Sequence, residues 1–158
     1  MRKRFFQEIY QLMLKDENLF FLTGDLGYGG IDKIKKDISK RYFNCMPAEQ
    51  MMLDMACGIA VNNKIPIVYS ITPFLIYRSF ETLITYINHE KIFTKLVGAG
   101  RNFDYKEDGI SHICPNVEYF LNGLNNIKQY YPKTIEEMIN LLPKFLYNNK
   151  PSFLSLIR

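Results

Sequence analysis

The chain has 158 residues, of which 47% are hydrophobic and 23% are charged, a composition that fits one globular domain with a substantial core and excludes a disordered or fibrous protein. The formal net charge is +4, but 20 basic residues are spread among 16 acidic ones, so the charge does not indicate a nucleic-acid-binding protein. The most basic run, DKIKKDISKR, contains its own acids, Asp32 and Asp37, which is typical of a solvated helix face.

Neither a leader nor a membrane segment is predicted. The opening MRKRFFQEIYQLMLK is basic but holds no uninterrupted apolar stretch, and no later run reaches the ~18 apolar residues of a membrane span. We therefore expect a cytoplasmic protein that does not contact a membrane. Cys45, Cys57 and Cys114 lack C-x-x-C spacing, so we interpret them as reduced packing residues and predict no metal site.

Short apolar runs alternate with amphipathic segments along the chain. The first amphipathic segment places Phe5, Ile9 and Met13 on one side of a helix, and Thr134 with Glu137 predicts a capping box at the start of the last helix. In chain order the predicted elements are helix 4–15, strands 20–25 and 42–46, helix 48–62, strand 65–71, helix 74–88, strands 93–99 and 127–131, helix 134–147 and strand 152–157.

This alternation determines the predicted fold class. Parallel strands need crossover connections, and helices between consecutive strands supply them. We therefore predict an α/β fold with three layers, in which a mostly parallel sheet is flanked by helices on both faces. The whole chain, residues 1–158, is expected to form a single domain.

The stretch NCMPAEQMMLDMACGIA places a carboxylate at the start of an apolar helix. We expect Pro47 to be the first helical residue, which puts Glu49 in the first turn. An acidic side chain there is ordinary helix-start electrostatics. Alternatively, Glu49 is a functional carboxylate beside an apolar wall formed by Met51, Met52 and Met55. The segment by itself leaves both readings open.

Polar and aromatic side chains follow the carboxyl ends of the predicted strands. Ligands bind at that edge in open parallel sheets, so these residues are candidates for one site. Loops at this edge also collect polar residues in any α/β protein, which leaves a structural explanation open. The candidates are Asp25, Glu49, Phe74, Tyr77, the segment EDGISH at 107–112, and Arg158.

Several segments together resemble a known family. The chain is similar to the pyrimidine-binding domain of the transketolase family of thiamine diphosphate enzymes over nearly its whole length. The resemblance implies the three-layer fold of that domain. It is carried by TGDLG (23–27), NCMPAEQ (44–50), TPFLIYRSFE (72–81), GAGRNFDYKEDGISH (98–112), LNNIKQYYP (124–132) and PSFLSLIR (151–158).

The resemblance implies a cofactor role for four residues. Glu49 matches the glutamate that hydrogen-bonds N1′ of the cofactor's aminopyrimidine and so helps that ring remove the C2 proton of the thiazolium. Phe74 and Tyr77 match aromatic positions around the pyrimidine, although aromatic residues at this spacing are also common in cores. Asp25 matches an aspartate near the thiazolium, and an Asp at the end of a strand is equally typical of a turn.

Four further residues match substrate-binding positions of transketolases. Asp108 and His112 match groups that contact hydroxyl and carbonyl oxygens of the sugar, a task that suits a carboxylate and an imidazole. Arg2 and Arg158 match arginines that bind the substrate's phosphate. Both arginines are close to the chain ends, where fraying is the alternative expectation.

The resemblance also implies a partner. The chain matches only the pyrimidine-binding domain, and we find neither the Gly-Asp-Gly segment that holds Mg²⁺ and the diphosphate nor the family's small C-terminal domain. We therefore predict the small subunit of a two-component transketolase, inactive alone and active in an α2β2 assembly with a separate diphosphate-binding subunit. The expected reaction transfers a two-carbon ketol unit from a ketose to an aldose, with thiamine diphosphate shared between subunits.

Two alternatives remain at the level of the sequence. One is a subunit of a thiamine diphosphate-dependent decarboxylase or synthase that acts on a 2-oxo acid, against which EDGISH argues mildly. The other is a non-catalytic scaffold that kept the fold, against which the joint presence of Glu49, Asp108 and His112 counts. The identities of the ketose and the aldose stay open.

Overall fold

Six parallel strands form the centre of the molecule. The computed structural model describes residues 1–158, and all five strand pairings are parallel. The strands are β1 (Leu19–Thr23), β2 (Tyr42–Asn44), β3 (Ile65–Ile71), β4 (Lys95–Ala99), β5 (Lys128–Tyr130) and β6 (Ser152–Leu156), in the spatial order β2-β1-β3-β4-β6-β5. The two edge strands are the short ones, and β4 and β6 are buried along their whole length, as central parallel strands are.

Helices cover both faces of this sheet. They are α1 (Arg2–Lys15), α2 (Asp32–Asp37), α3 (Glu49–Val61), α4 (Thr72–Tyr77), α5 (Phe80–Thr82), a π-helix (Leu83–His89), α6 (Val117–Leu121) and α7 (Ile135–Leu146). One apolar cluster packs α1, α2 and α7 on one face, and a second packs α3, α4, the π-helix and α6 on the other. The predicted α/β fold with three layers is therefore confirmed. None of the helices combines the length and the hydropathy that a membrane span requires.

The order of strands creates a switch point between β1 and β3. From β1 the chain moves outward to β2, and it then crosses back to place β3 on the other side of β1. At such a point the connections leave the sheet in opposite directions, which opens a crevice at the carboxyl ends of the two strands. Gly24 directly follows β1, and Ser70 is the penultimate residue of β3, so both lie at this crevice.

The start of α3 differs from the sequence prediction. The helix begins at Glu49 rather than at Pro47, because Met46 takes a left-handed φ of 55° and Ala48 is non-helical. Glu49 nevertheless lies in the first turn, as predicted. The proposed apolar wall is wrong in two of its three members: Met52 is buried, whereas Met51 and Met55 are exposed. 

The predicted helix 74–88 is in fact broken. The chain forms α4, then a break at Ser79 with φ −117°, then α5 and the π-helix. The hydroxyl of Ser79 donates to the carbonyl of Leu75, a local bond that competes with regular helix geometry. The break leaves Arg78 as the C-cap residue of α4.

The capping box on α7 is confirmed in its first half. The Glu137 backbone N–H donates to Thr134 Oγ1 at 3.1 Å. The Glu137 carboxylate accepts from the backbone N–H of Lys133 rather than from that of Thr134. The predicted role of the cysteines is also confirmed, since all three are free and buried. Burial raises the pKa of Cys57 to about 11, so it is a thiol near neutral pH.

Candidate active site at the sheet switch point

The Glu49 carboxylate lies in the crevice between β1 and β3. Only 1% of the residue is exposed. Ser70 Oγ donates to Glu49 Oε1 at 3.1 Å, and Arg78 Nη1 donates to Glu49 Oε2 at 2.8 Å. Each carboxylate oxygen thus has one donor, which is how a buried charge is kept in a protein interior. Because Glu49 opens α3, it also lies beside the positive end of that helix.

Gly24 provides the space beside this carboxylate. A Cβ added at Gly24 would lie 3.1 Å from Glu49 Oε1 and 3.3 Å from Ser70 Oγ. Both distances are tighter than ordinary contacts, so a larger residue at this position would require the carboxylate or the Ser70 hydroxyl to shift by a few tenths of an ångström. The glycine after β1 therefore leaves room for Glu49 to reach the switch point.

Arg78 links the carboxylate to an aromatic ring. The centroid of the Phe74 ring is 3.8 Å from the guanidinium carbon of Arg78 and 4.8 Å from the centroid of the His112 ring. The structure thus brings Glu49, Phe74 and His112, three of the residues predicted from sequence, into one connected group. Arg78 joins the first two. Together they offer a buried acceptor, a flat apolar surface and an imidazole.

Tyr77 points to another part of the same edge. Its hydroxyl lies 3.1 Å from Cys114 Sγ, and its ring packs edge-on against Phe120 with centroids 5.1 Å apart. Burial, with the bond to Cys114, raises the pKa of Tyr77 to about 12, so the phenol is neutral. The structure does not join Tyr77 to the group around Glu49.

Asp108 and Asp25 lie in loops beside the group. Asp108 is exposed and ends a 3₁₀ turn, Lys106–Asp108, that is followed by Gly109 at φ 92°. Asp25 has a left-handed φ of 57°, and its Oδ1 accepts from Tyr28 at 3.1 Å and from Asn44 Nδ2 at 2.9 Å. These bonds give Asp25 the turn role that the sequence left open as the alternative to cofactor contact.

Tyr105 connects the two terminal arginines. Arg2 Nη1 donates to the Tyr105 hydroxyl, and the Arg158 guanidinium lies 4.8 Å from the centroid of the same ring. The Arg158 backbone N–H also donates to Asp104 Oδ2 at 2.9 Å. Both chain ends are therefore held, contrary to the alternative expectation of fraying. Gly100 makes the close approach of Tyr105 possible, since a Cβ there would lie 2.3 Å from the ring.

The family is decided by a match over the full length. The family model for the transketolase pyrimidine-binding domain matches residues 1–158. The chain belongs to this family. Two curated relatives share this region. A transketolase C-terminal section of Methanocaldococcus jannaschii is 29% identical over 95% of this chain and 44% of its own length. A 6-deoxy-6-sulfo-D-fructose transketolase subunit of a Clostridium strain is 21% identical over 91% of this chain and 45% of its own length.

A third relative carries a different activity in its name. It is the 1-deoxy-D-xylulose-5-phosphate synthase of Listeria monocytogenes, which is 28% identical over 91% of this chain and 24% of its own length. The chain therefore spans less than half the length of each of these three relatives.

Solved structures share the fold of this pyrimidine-binding domain. A split-gene transketolase, solved as an inactive β4 tetramer, superimposes with a TM-score of 0.86 at 21% identity and covers 99% of this chain and 51% of its own. The transketolase of Campylobacter jejuni gives a TM-score of 0.82 at 17% identity, with 98% of this chain and 25% of its own covered.

Three contributors to the site were missed by sequence reasoning. Gly24 and Ser70 adjoin the Glu49 carboxylate, and Arg78 pairs with it. Arg78 follows Phe74 by four residues, so the helical spacing of the two side chains was a usable signal. The position of Ser70 gave no comparable signal, because its neighbour across the crevice is 21 residues away in sequence.

Proposed function

We propose that this chain is the small subunit of a two-component transketolase and that it activates the aminopyrimidine of thiamine diphosphate. The observation that carries the proposal is the buried Glu49 carboxylate at the β1/β3 switch point, which Arg78 links to the Phe74 ring. A carboxylate that shares a proton with a ring nitrogen and a flat apolar surface that stacks on the ring are the two requirements of an aminopyrimidine site.

The residues of this crevice fit the pyrimidine half of the cofactor. When bound, thiamine diphosphate supplies a carbanion-type nucleophile for carbon–carbon bond cleavage and formation. Glu49 would hold the proton of the pyrimidine ring nitrogen, and Phe74 would stack on the ring. Ser70 would keep the carboxylate in place through its bond to Oε1. Tyr77 and Asp25 are proposed to line the site at its margin.

The substrate would lie beside the His112 imidazole. His112 contacts Phe74 and has its Nδ1 3.0 Å from Ser111 Oγ, which leaves the other ring nitrogen for a sugar oxygen. Asp108 is exposed on the same loop and would accept from a sugar hydroxyl. Arg2 and Arg158 meet at Tyr105 and would bind a phosphate at the far end of the sugar.

The diphosphate and its Mg²⁺ are proposed to be held by a separate subunit in an α2β2 assembly. Two relatives support a division of the enzyme into subunits by their descriptions, as a transketolase subunit and as a split-gene transketolase. The exposed apolar residues Met51, Met55 and Val61 of α3 and Tyr86 of the π-helix are a surface that such a partner would cover.

Reconstitution tests the proposal. The chain is mixed with a transketolase subunit that carries the diphosphate-binding segment, together with thiamine diphosphate and Mg²⁺, and ketol transfer from a ketose to an aldose is measured. We expect activity only from the mixture and with both cofactors. Activity of the isolated chain, or a mixture that binds cofactor without any turnover, would contradict it.

A second candidate is supported by the synthase relative of Listeria monocytogenes. In that case the same subunit arrangement would act on a 2-oxo acid, with loss of carbon dioxide, and an aldose would accept the remaining carbons. The reconstituted mixture separates the two by its donor. With the same aldose as acceptor, turnover with a ketose as donor supports transketolase chemistry, and turnover with pyruvate as the only donor supports the synthase.

A further inference from the structure

The Arg78 side chain contacts both groups that the proposed function assigns to the cofactor's pyrimidine, the Glu49 carboxylate and the Phe74 ring. Arg78 Nη1 donates to Glu49 Oε2 at 2.8 Å, and the Arg78 guanidinium carbon lies 3.8 Å from the centroid of the Phe74 ring. Glu49 and Phe74 belong to different elements, α3 and α4. A single planar group therefore fills the space between the carboxylate and the aromatic face.

A guanidinium resembles a protonated aminopyrimidine in the properties that this space selects. Both are flat, delocalised cations with N–H donors in the plane of the group. Both can stack on an aromatic ring while an in-plane N–H donates to a carboxylate. The contacts that Arg78 makes are thus of the same kind as those proposed for the cofactor.

We propose that Arg78 takes the aminopyrimidine's place in the free subunit and is displaced when thiamine diphosphate binds. The inference rests on the proposed function, because it takes Glu49 and Phe74 as the pyrimidine site. It assigns to Arg78 the role of setting cofactor affinity. The apparent dissociation constant rises as the open fraction of the site falls.

The attachment of Arg78 permits this displacement. Its side chain is 43% exposed and makes a single hydrogen bond, the one to Glu49. Arg78 also lies at the end of α4, next to the break at Ser79. Rotation of the side chain into solvent therefore breaks one ion pair and one stacking contact and requires no movement of the sheet.

The contact also serves the free subunit. Glu49 is buried, and a buried carboxylate without a cationic or hydrogen-bonding partner is costly. Arg78 compensates this charge until the cofactor arrives, and the aminopyrimidine then takes over the same carboxylate oxygen. The ion pair therefore keeps an empty site stable and also competes with the ligand.

Thiamine is the probe for the test, since it has the aminopyrimidine but lacks the diphosphate that this chain is not proposed to hold. Its affinity for the isolated chain is measured by calorimetry or ligand-observed NMR for wild type and Arg78→Ala. We expect Arg78→Ala to bind thiamine about tenfold more tightly, as removal of a competitor that occupies most of the sites predicts. Arg4→Ala, an exposed arginine on α1, is the matched control and should bind as wild type does.

Arg78→Lys keeps the proposal testable if the alanine variant fails to fold. A lysine can still pair with Glu49 but cannot lie flat on Phe74, so we expect a smaller gain in thiamine affinity of about threefold. Thiamine affinity that is unchanged or lower in both folded variants would overturn the proposal, as would undetectable binding by Arg78→Ala. A thiamine-bound structure that retains the Arg78–Glu49 bond would also overturn it.

A double variant separates this inference from the proposed function. Adding Glu49→Gln to Arg78→Ala should abolish the gained affinity if thiamine uses the Glu49 carboxylate. Gained affinity that survives this change would mean that the ring binds elsewhere, which contradicts both the inference and the proposed role of Glu49. Loss of the gain, together with an inactive reconstituted enzyme, would support the Arg78 inference while contradicting transketolase activity.

Discussion

Glu49 and Lys95 are two buried charges at opposite ends of the same sheet, and their surroundings differ. Glu49 lies at the carboxyl edge and is paired with Arg78, a half-exposed cation with no other bond. Lys95 is fully buried at the first position of β4, and its Nζ donates to Asn148 Oδ1 at 2.8 Å and to the Lys150 carbonyl at 2.7 Å.

The difference concerns the partner of each buried charge, and it separates the charge that we propose to be functional from one with a structural role. The acceptors of Lys95 belong to the turn that leads into β6, so the ammonium ties this turn to the start of β4. Burial lowers the pKa of Lys95 from 10.5 to about 7, and its two acceptors are uncharged groups, a side-chain amide and a backbone carbonyl. Glu49, in contrast, has a partner that can move into solvent and make room for a ligand.

The largest expected effect is on activity. Glu49→Gln removes the carboxylate that would share a proton with the cofactor, so we expect kcat of the reconstituted enzyme to fall by roughly 100-fold to 10,000-fold. Lys95→Met should leave kcat within about twofold, since Lys95 has no contact with the site. Steady-state rates of ketol transfer check both. Near-normal turnover by Glu49→Gln would remove the distinction between the two charges.

The second effect is on stability. Lys95→Ala leaves a cavity at a fully buried position, so we expect the free energy of unfolding to fall by about 3 kcal/mol. The two acceptors of Lys95 keep one donor each, because the Lys150 N–H donates to Asn148 Oδ1 and Ser152 Oγ donates to the Lys150 carbonyl. Lys95→Met fills more of the space and should cost about half as much. Urea denaturation measures both, with the exposed Lys3→Ala as control. A loss below about 0.5 kcal/mol for Lys95→Ala is the size expected for an ordinary surface substitution and would contradict the structural role of Lys95.

The third effect is the pH dependence that the Lys95 environment imposes. Because the folded-state pKa, about 7, is below the unfolded value of 10.5, the unfolded chain binds more protons between these two values. Raising the pH through this window should therefore stabilise the fold, by roughly 2 kcal/mol between about pH 7 and about pH 9. Urea denaturation at several pH values should show this rise in wild type and a flatter profile in Lys95→Met. Identical profiles would contradict the prediction.

The smallest expected effect comes from the neutral donor to Glu49. Ser70→Ala removes the hydroxyl that donates to Oε1 while Arg78 still pairs with Oε2, so we expect the free energy of unfolding to fall by about 1 kcal/mol. The activity of the reconstituted enzyme should fall by severalfold, because the carboxylate is less well held. Ser39→Ala, at an exposed serine in the 3₁₀ turn Ser39–Arg41, is the matched control. Equal effects of the two changes would show that Ser70 does not position Glu49.

Much of the fold could be predicted from local patterns. Strand β3 occupies the predicted residues, Ile65–Ile71, and four of the other strands lie within the predicted ranges, whereas β1 begins one residue before its range, at Leu19. The broken helix after β3 could not be predicted from its apolar spacing, because that spacing does not record the bond between the Ser79 hydroxyl and the Leu75 carbonyl that accompanies the break. Met55 was assigned to the buried side of α3, but the buried face passes through Met52, Leu53 and Ala56 instead.

Only some residues of the candidate site were predicted from the sequence, and none of the contacts between them was. The sequence placed Glu49, Phe74 and His112 at one edge, and the structure joins them. The sequence did not indicate that Arg2 and Arg158 would both contact Tyr105. The contact between Arg2 and Tyr105 joins residues that are 103 positions apart in the chain. Contacts of this kind depend on how distant segments pack, which no periodicity records.

By itself, the sequence determined the alternation of strands and helices, the parallel sheet and the family, because these follow from patterns of residues close together in the chain. Only the tertiary structure decided which charges are buried and what pairs with them. Lys95 is 53 residues from Asn148, and Arg78 is 29 residues from Glu49. The environment of a charge is set by all the groups that surround it in space, so it is fixed only when those distant segments come together.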